Sequence, residues 1–110
     1  MKAPGFGLTA TTVEKISALL ARHPKVEKAI LYGSRAKGNF RNGSDIDLTL
    51  EGSGLGHHDL LTIMGELDDL LLPYTIDLSL FASLTHPELL DHIRRVGVVF
   101  YERTAVEVKR

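Results

Sequence analysis

The sequence predicts an α/β domain, and three observations predict it. Ile46-Asp47-Leu48-Thr49-Leu50 and Ile76-Asp77-Leu78-Ser79-Leu80 alternate apolar and polar residues in the same phase, thirty positions apart. Between them runs a helical stripe of Leu60, Ile63, Met64, Leu67 and Leu71. A strand–helix–strand unit of this length places its two strands parallel in one sheet. The third observation is the strand-like segment Val26 to Tyr32, which becomes apolar towards its end and runs directly into a Gly33-Ser34 turn.

The elements follow in order. Residues 1–10, with two glycines and a proline, read as a loose leader. Thr11-Thr12-Val13-Glu14 fits a capping box with Thr11 as N-cap. Val13, Ile16, Leu19 and Leu20 then recur at helical spacing until Pro24, which predicts a helix over Thr12–His23. Val26–Tyr32 is the first strand. Arg35-Ala36-Lys37 forms a short helical turn, and Gly38 to Gly43 a polar loop.

The segment Asp45–Glu51 reads as a strand with Ile46, Leu48 and Leu50 on one face and Asp45, Asp47, Thr49 and Glu51 on the other. Gly52, Gly54 and Gly56 break it and connect to a helix over Asp59–Leu71, closed by Pro73. Thr75–Phe81 is the third strand. Thr85-His86-Pro87-Glu88 is a second capping box, opening a helix through Val96 that Gly97 ends. Val98–Tyr101 makes a short last strand, and the charged tail from Glu102 is expected to fray.

Length and composition bound the function. The 110 residues are most simply one domain, with 44% hydrophobic and 25% charged residues, ordinary for a globular protein. Without cysteine there is neither a disulfide nor a thiolate metal site. A net charge of −1 argues against bulk electrostatic binding to nucleic acid. No apolar run reaches the roughly 18 residues of a membrane span, and the N-terminus lacks a signal-peptide core, so a cytoplasmic protein is expected.

The chemistry lies in Gly33-Ser34, ten intervening residues, Asp45-Ile46-Asp47, and the lone Asp77. A Gly-Ser turn opening a helix offers backbone N–H groups to phosphate oxygens. Asp45 and Asp47, two apart on a strand, point the same way with Cα atoms about 6.5–7 Å apart. Such a pair can share two Mg²⁺ ions about 3.5–4 Å apart. If the twin strands are neighbours in register, Asp47 and Asp77 lie about 5 Å apart on one face. Three gathered carboxylates repel unless cations lie among them, and Mg²⁺ with substrate phosphates is the natural answer.

The expected division of labour is therefore specific. Asp45 and Asp47 hold both metals, Asp77 completes the one that activates an acceptor hydroxyl, and attack falls on the α-phosphorus of a nucleotide triphosphate. Gly33 and Ser34 hold the leaving pyrophosphate. Arg35 and Lys37 neutralise the β- and γ-phosphates. Tyr32 reads as core, and the adjacent His57 and His58 as exposed.

Leu31-Tyr32-Gly33-Ser34-Arg35-Ala36-Lys37-Gly38 with Ser44-Asp45-Ile46-Asp47-Leu48 resembles the signature of the DNA polymerase β-type nucleotidyltransferase superfamily. Within it, the chain is similar to the small stand-alone minimal nucleotidyltransferases, over nearly its whole length. That resemblance implies a mixed sheet of three to four strands with packed helices, and transfer of a nucleoside monophosphate, AMP from ATP with two Mg²⁺ ions. It also implies a HEPN-type helical protein as partner, since some members are antitoxins that adenylylate a tyrosine of such a toxin. Larger relatives carry an acceptor-binding domain. Here a partner, or a second copy of the chain, is expected to supply that pocket.

Two other readings stay open. One is a binding module that neutralises or scaffolds its helical partner by contact. The other is a transferase subunit acting on a small-molecule hydroxyl. Leu61, Leu70 and Leu72 lie off the stripe of the second long helix and could serve core or partner.

Overall fold

The computed structural model describes residues 6–41 and 43–103. The chain runs α1 (Ala10–Ala21), β1 (Lys28–Tyr32), α2 (Ser34–Lys37), β2 (Ile46–Glu51), α3 (His57–Asp69), β3 (Ile76–Leu80), a 3-10 turn (Phe81–Ser83), α4 (Pro87–Val96) and β4 (Val98–Glu102). The strands form one mixed sheet in the order β3-β2-β1-β4. β1 pairs antiparallel with both β2 and β4, whereas β2 and β3 run parallel. The α/β fold and the parallel twin strands therefore stand as the alternation predicted.

Alternation sorts the sheet into two unlike faces. Ala29, Leu31, Ile46, Leu48, Leu50, Leu78 and Leu80 join Ile16, Leu19 and Leu20 of α1 and Ile63 and Leu67 of α3 in one buried cluster. α1 and α3 thus cover the apolar face, which removes that surface from water. α4 lies across the opposite face. A side chain at Gly97, just past its end, would meet both Ile93 O and Ile30 Cγ2, and Ile30 is the cross-strand partner of Thr49. α4 covers this face near Ile30 and reaches Gly33 and Tyr32 through His92, while Asp77 on the edge strand β3 stays exposed.

Helix starts differ from the expected ones: α1 and α3 begin two residues earlier, and the cap of α4 falls one residue later. Thr9, not Thr11, caps α1: its Oγ1 accepts from the Thr12 N–H at 3.1 Å. Buried Leu8 fixes that entry, and Phe6 packs against Phe100 with ring centroids 6.3 Å apart. Residues 6–9 are therefore part of the fold rather than a loose leader; residues 1–5 lie outside the described residues. α3 begins at His57, where the Gly56 N–H donates to Asp59 Oδ2 at 2.9 Å. α4 is capped by His86, whose Nδ1 accepts from the Leu89 N–H, with Pro87 in its first turn.

Two further expectations change. Leu71, placed on the buried stripe, is 87% exposed with φ +55, because α3 has already ended at Asp69. Leu70 and Leu72 instead pack against the core, and Leu61 is exposed. At the C-terminal end Glu102 completes β4. Arg103 donates to the carbonyls of Ala21, Val26 and His23, which ties β4 to the end of α1. The fraying expected from Glu102 does not extend to these two residues, and 104–110 lie outside the described ones. Among the described residues no helix is long and apolar enough to cross a membrane.

Candidate active site

β2 and β3 pair in register, Asp47 opposite Asp77, Thr49 opposite Ser79. Directly opposed residues share a face, so the two carboxylates project together from adjacent strands. Antiparallel pairing sets Tyr32 opposite Asp47 on the same face. Tyr32 is thus buried at the site and not in the apolar core. Burial raises its hydroxyl pKa most; a hydrogen bond with Ser79 opposes this, and the charges of Asp77 and Asp47 add to it. Ser79 in turn donates to Thr49 Oγ1 at 2.9 Å, which lets Thr49 be fully buried on the polar face of the sheet.

Asp45 precedes β2, exposed, instead of lying within it. Asp47 is half-buried and Asp77 exposed. Burial first, then the charges of Asp77 and Asp45, push the Asp47 carboxyl up to about 6. Burial disfavours the ionised carboxyl most, and the two neighbouring carboxylates add to it. Among the described residues no three acidic, His or Cys side chains are gathered closely enough to cage a metal ion. The donors nonetheless suit a hard divalent cation: all are carboxylates, two in register and the third acting on the same group, and a bound cation would relieve their repulsion.

The motif turn sits beside Asp47. Gly33 adopts φ +77 and ψ −157, and α2 follows it immediately. A Cβ on Gly33 would collide with Asp47 Oδ2. Conformation and crowding both demand glycine here. Gly33→Ala is accordingly expected to lower nucleotide transfer about 100-fold by displacing Asp47, and to cost about 1–3 kcal/mol of stability. A transfer assay beside a thermal melt checks both; an active Gly33→Ala protein would contradict the stated crowding. Ser34 is half-buried at the start of α2, and Lys37 is exposed at its end.

Two expected phosphate contacts are otherwise engaged. The Gly33 N–H donates to His92 Nε2 of α4 at 3.0 Å. The Arg35 side chain turns into the protein, 3% exposed. Its Nε and one terminal nitrogen donate to Ser44 O at 3.1 and 3.0 Å, and the other terminal nitrogen donates to Phe6 O at 2.6 Å. The guanidinium also lies over the rings of Phe40 and Tyr74, 5.2 and 5.0 Å from their centroids. Arg35 therefore braces the loop that delivers Asp45 and does not face phosphate. A cation beside a Gly-Ser turn looks the same in sequence whichever way it points. His92 carried no signal, because the path of α4 across the sheet cannot be read from its periodicity.

Residues 14–105 match the family model described as polymerase beta, nucleotidyltransferase. The chain belongs to that family. This nucleotidyltransferase domain is similar in fold to a chain in the crystal structure of a toxin–antitoxin with AMP-PNP. The TM-score is 0.68 and the identity 23%, over 84% of this chain and 74% of that one. A chain in the structure of a tri-AMPylated Shewanella oneidensis HEPN toxin in complex with MNT antitoxin matches at TM-score 0.63 and 21% identity, over 84% and 71%. One in the toxin–antitoxin MntA–HepT matches at 0.63 and 21%, over 84% and 72%. No curated protein sequence matches the nucleotidyltransferase domain.

Proposed function

We propose that this nucleotidyltransferase is a minimal antitoxin-type enzyme that moves AMP from ATP onto a hydroxyl of a HEPN-type helical protein. The observation that carries the reading is the in-register pairing of Asp47 with Asp77 beside the Gly33–Ser34 turn, with Asp77 exposed. Its support from outside the chain is the fold shared with structures of toxin–antitoxin complexes, one with AMP-PNP and one with a tri-AMPylated HEPN toxin.

Asp45, Asp47 and Asp77 would hold Mg²⁺. Bound there, the metal would activate the acceptor hydroxyl and offset charge on the phosphates. Ser34 would supply a hydroxyl to the triphosphate, joined by the first N–H groups of α2, which have no partner within the helix. Lys37 adds a mobile positive charge. Thr49 and Ser79, joined by a hydrogen bond, floor the site beside Tyr32 and tie β2 to β3 beneath the carboxylates.

ATP labelled at the α-phosphate, incubated with the chain, Mg²⁺ and a HEPN-type partner protein, is expected to leave label on the partner. Label on neither protein, with ATP untouched, would remove the protein-acceptor reading. Exposed Leu61, Met64 and Leu71 favour a second reading, neutralisation by contact. An Asp47→Asn protein that still protects cells from the toxin would establish it.

A further inference from the structure

The Gly33 N–H faces a side chain that the transferase reading leaves unused. His92 Nε2 accepts it at 3.0 Å. The accepting nitrogen carries no proton of its own. The ring stands edge-on to Tyr32, centroids 6.2 Å apart and planes at 79°. The next residue, Ile93, is buried, and its carbonyl accepts from the Gly97 N–H at 2.8 Å. His92 thus stands on an anchored turn of α4 and not on a swinging arm.

The backbone it grips needs a grip. Gly33 holds φ +77 and ψ −157, a conformation that a glycine peptide visits among many. Its carbonyl is fixed from one side by the Lys37 N–H at 3.0 Å. Its amide is fixed from the other by His92. Held at both ends, the peptide keeps its orientation against Asp47 Oδ2, which leaves no room for a side chain there.

We propose that His92 is a positioning residue for the triphosphate turn. It touches neither nucleotide nor acceptor. By accepting the Gly33 N–H it locks the peptide that aims Ser34 and sets the distance from the turn to Asp47. The assignment rests on the transferase reading above and adds to it the closing helix α4, which otherwise contributes no side chain to the site.

Three full-length proteins test it: wild type, His92→Phe, which keeps a ring against Tyr32 but loses the acceptor, and His92→Gln, which restores an acceptor at similar reach. Each is titrated calorimetrically with AMP-PNP and Mg²⁺, and amide exchange of Gly33 is followed by NMR. His92→Phe is expected to weaken binding about tenfold and to unprotect the Gly33 amide. His92→Gln is expected to recover both. Wild-type affinity in His92→Phe overturns the proposal, as does a His92→Gln protein with a protected amide but affinity as poor as that of His92→Phe. Should His92→Phe fail to fold, the same two readings on His92→Gln decide alone. A wild-type chain that binds no AMP-PNP brings down the transferase reading itself; the other outcomes leave that reading standing.

Discussion

Asp47→Asn is expected to abolish nucleotide transfer and, in the same protein, to raise the melting temperature of the metal-free chain. The loss of activity should reach about 10³-fold or more, since a ligand shared by both metals and phosphate is removed. The gain in stability has a separate origin. Crowding by burial, Asp77 and Asp45 raises the Asp47 carboxyl from 3.8 to about 6. Between those values the folded chain binds more protons than the unfolded chain, so stability falls as pH rises through the window, and the full penalty applies above about 6. Asparagine cannot ionise and escapes it.

Discounted for the solvent that reaches this half-exposed group, the penalty is about 1–2 kcal/mol. That corresponds to a rise of roughly 4–15 °C at neutral pH. Melts in chelator at about pH 3 and 7.5 separate the effects: the variant should gain at 7.5 and match wild type at about pH 3, below both values. Equal melting at both pH values would mean that Asp47 is not electrostatically strained.

Arg35→Ala is expected to fail in the opposite way, through the fold. Its three hydrogen bonds and two aromatic faces make one buried post between residue 6, the loop after α2 and the start of β2. Removing it strands two carbonyls and opens a void, at a cost of about 3–4 kcal/mol. The melting temperature should fall by roughly 15–25 °C. Arg35→Lys should recover less than half of that, because an ammonium cannot serve Ser44 O twice while reaching Phe6 O. An Arg35→Ala protein that melts normally but has a high KM for ATP would restore Arg35 to phosphate binding.

These two residues also mark where the sequence was legible. Asp47 and Asp77 announced themselves because a period of two, repeated in the same phase, fixes both face and register once a helix lies between. The family signature covered the same stretch. Arg35 was misread because a motif gives position along the chain and not the direction of a long side chain. Thr9 and His86 were missed as caps, since Thr11 and Thr85 offered equally good local patterns, and the burial of Leu8 and the place of Pro87 in the first turn of α4 chose between them. Tyr32 sat at the end of an unbroken apolar run, where alternation gives no face. His92 depends on where α4 crosses the sheet, a relation between elements far apart in sequence.

The parallel β2–β3 ladder has one more consequence, for quality control during folding. Sliding β3 by a single residue would swing Asp77 into the greasy layer and expel Leu78 and Leu80 toward water. The same slip that ruins the enzyme therefore also dissolves the core. A cell should find little of this protein that is well folded yet miswired at its carboxylates.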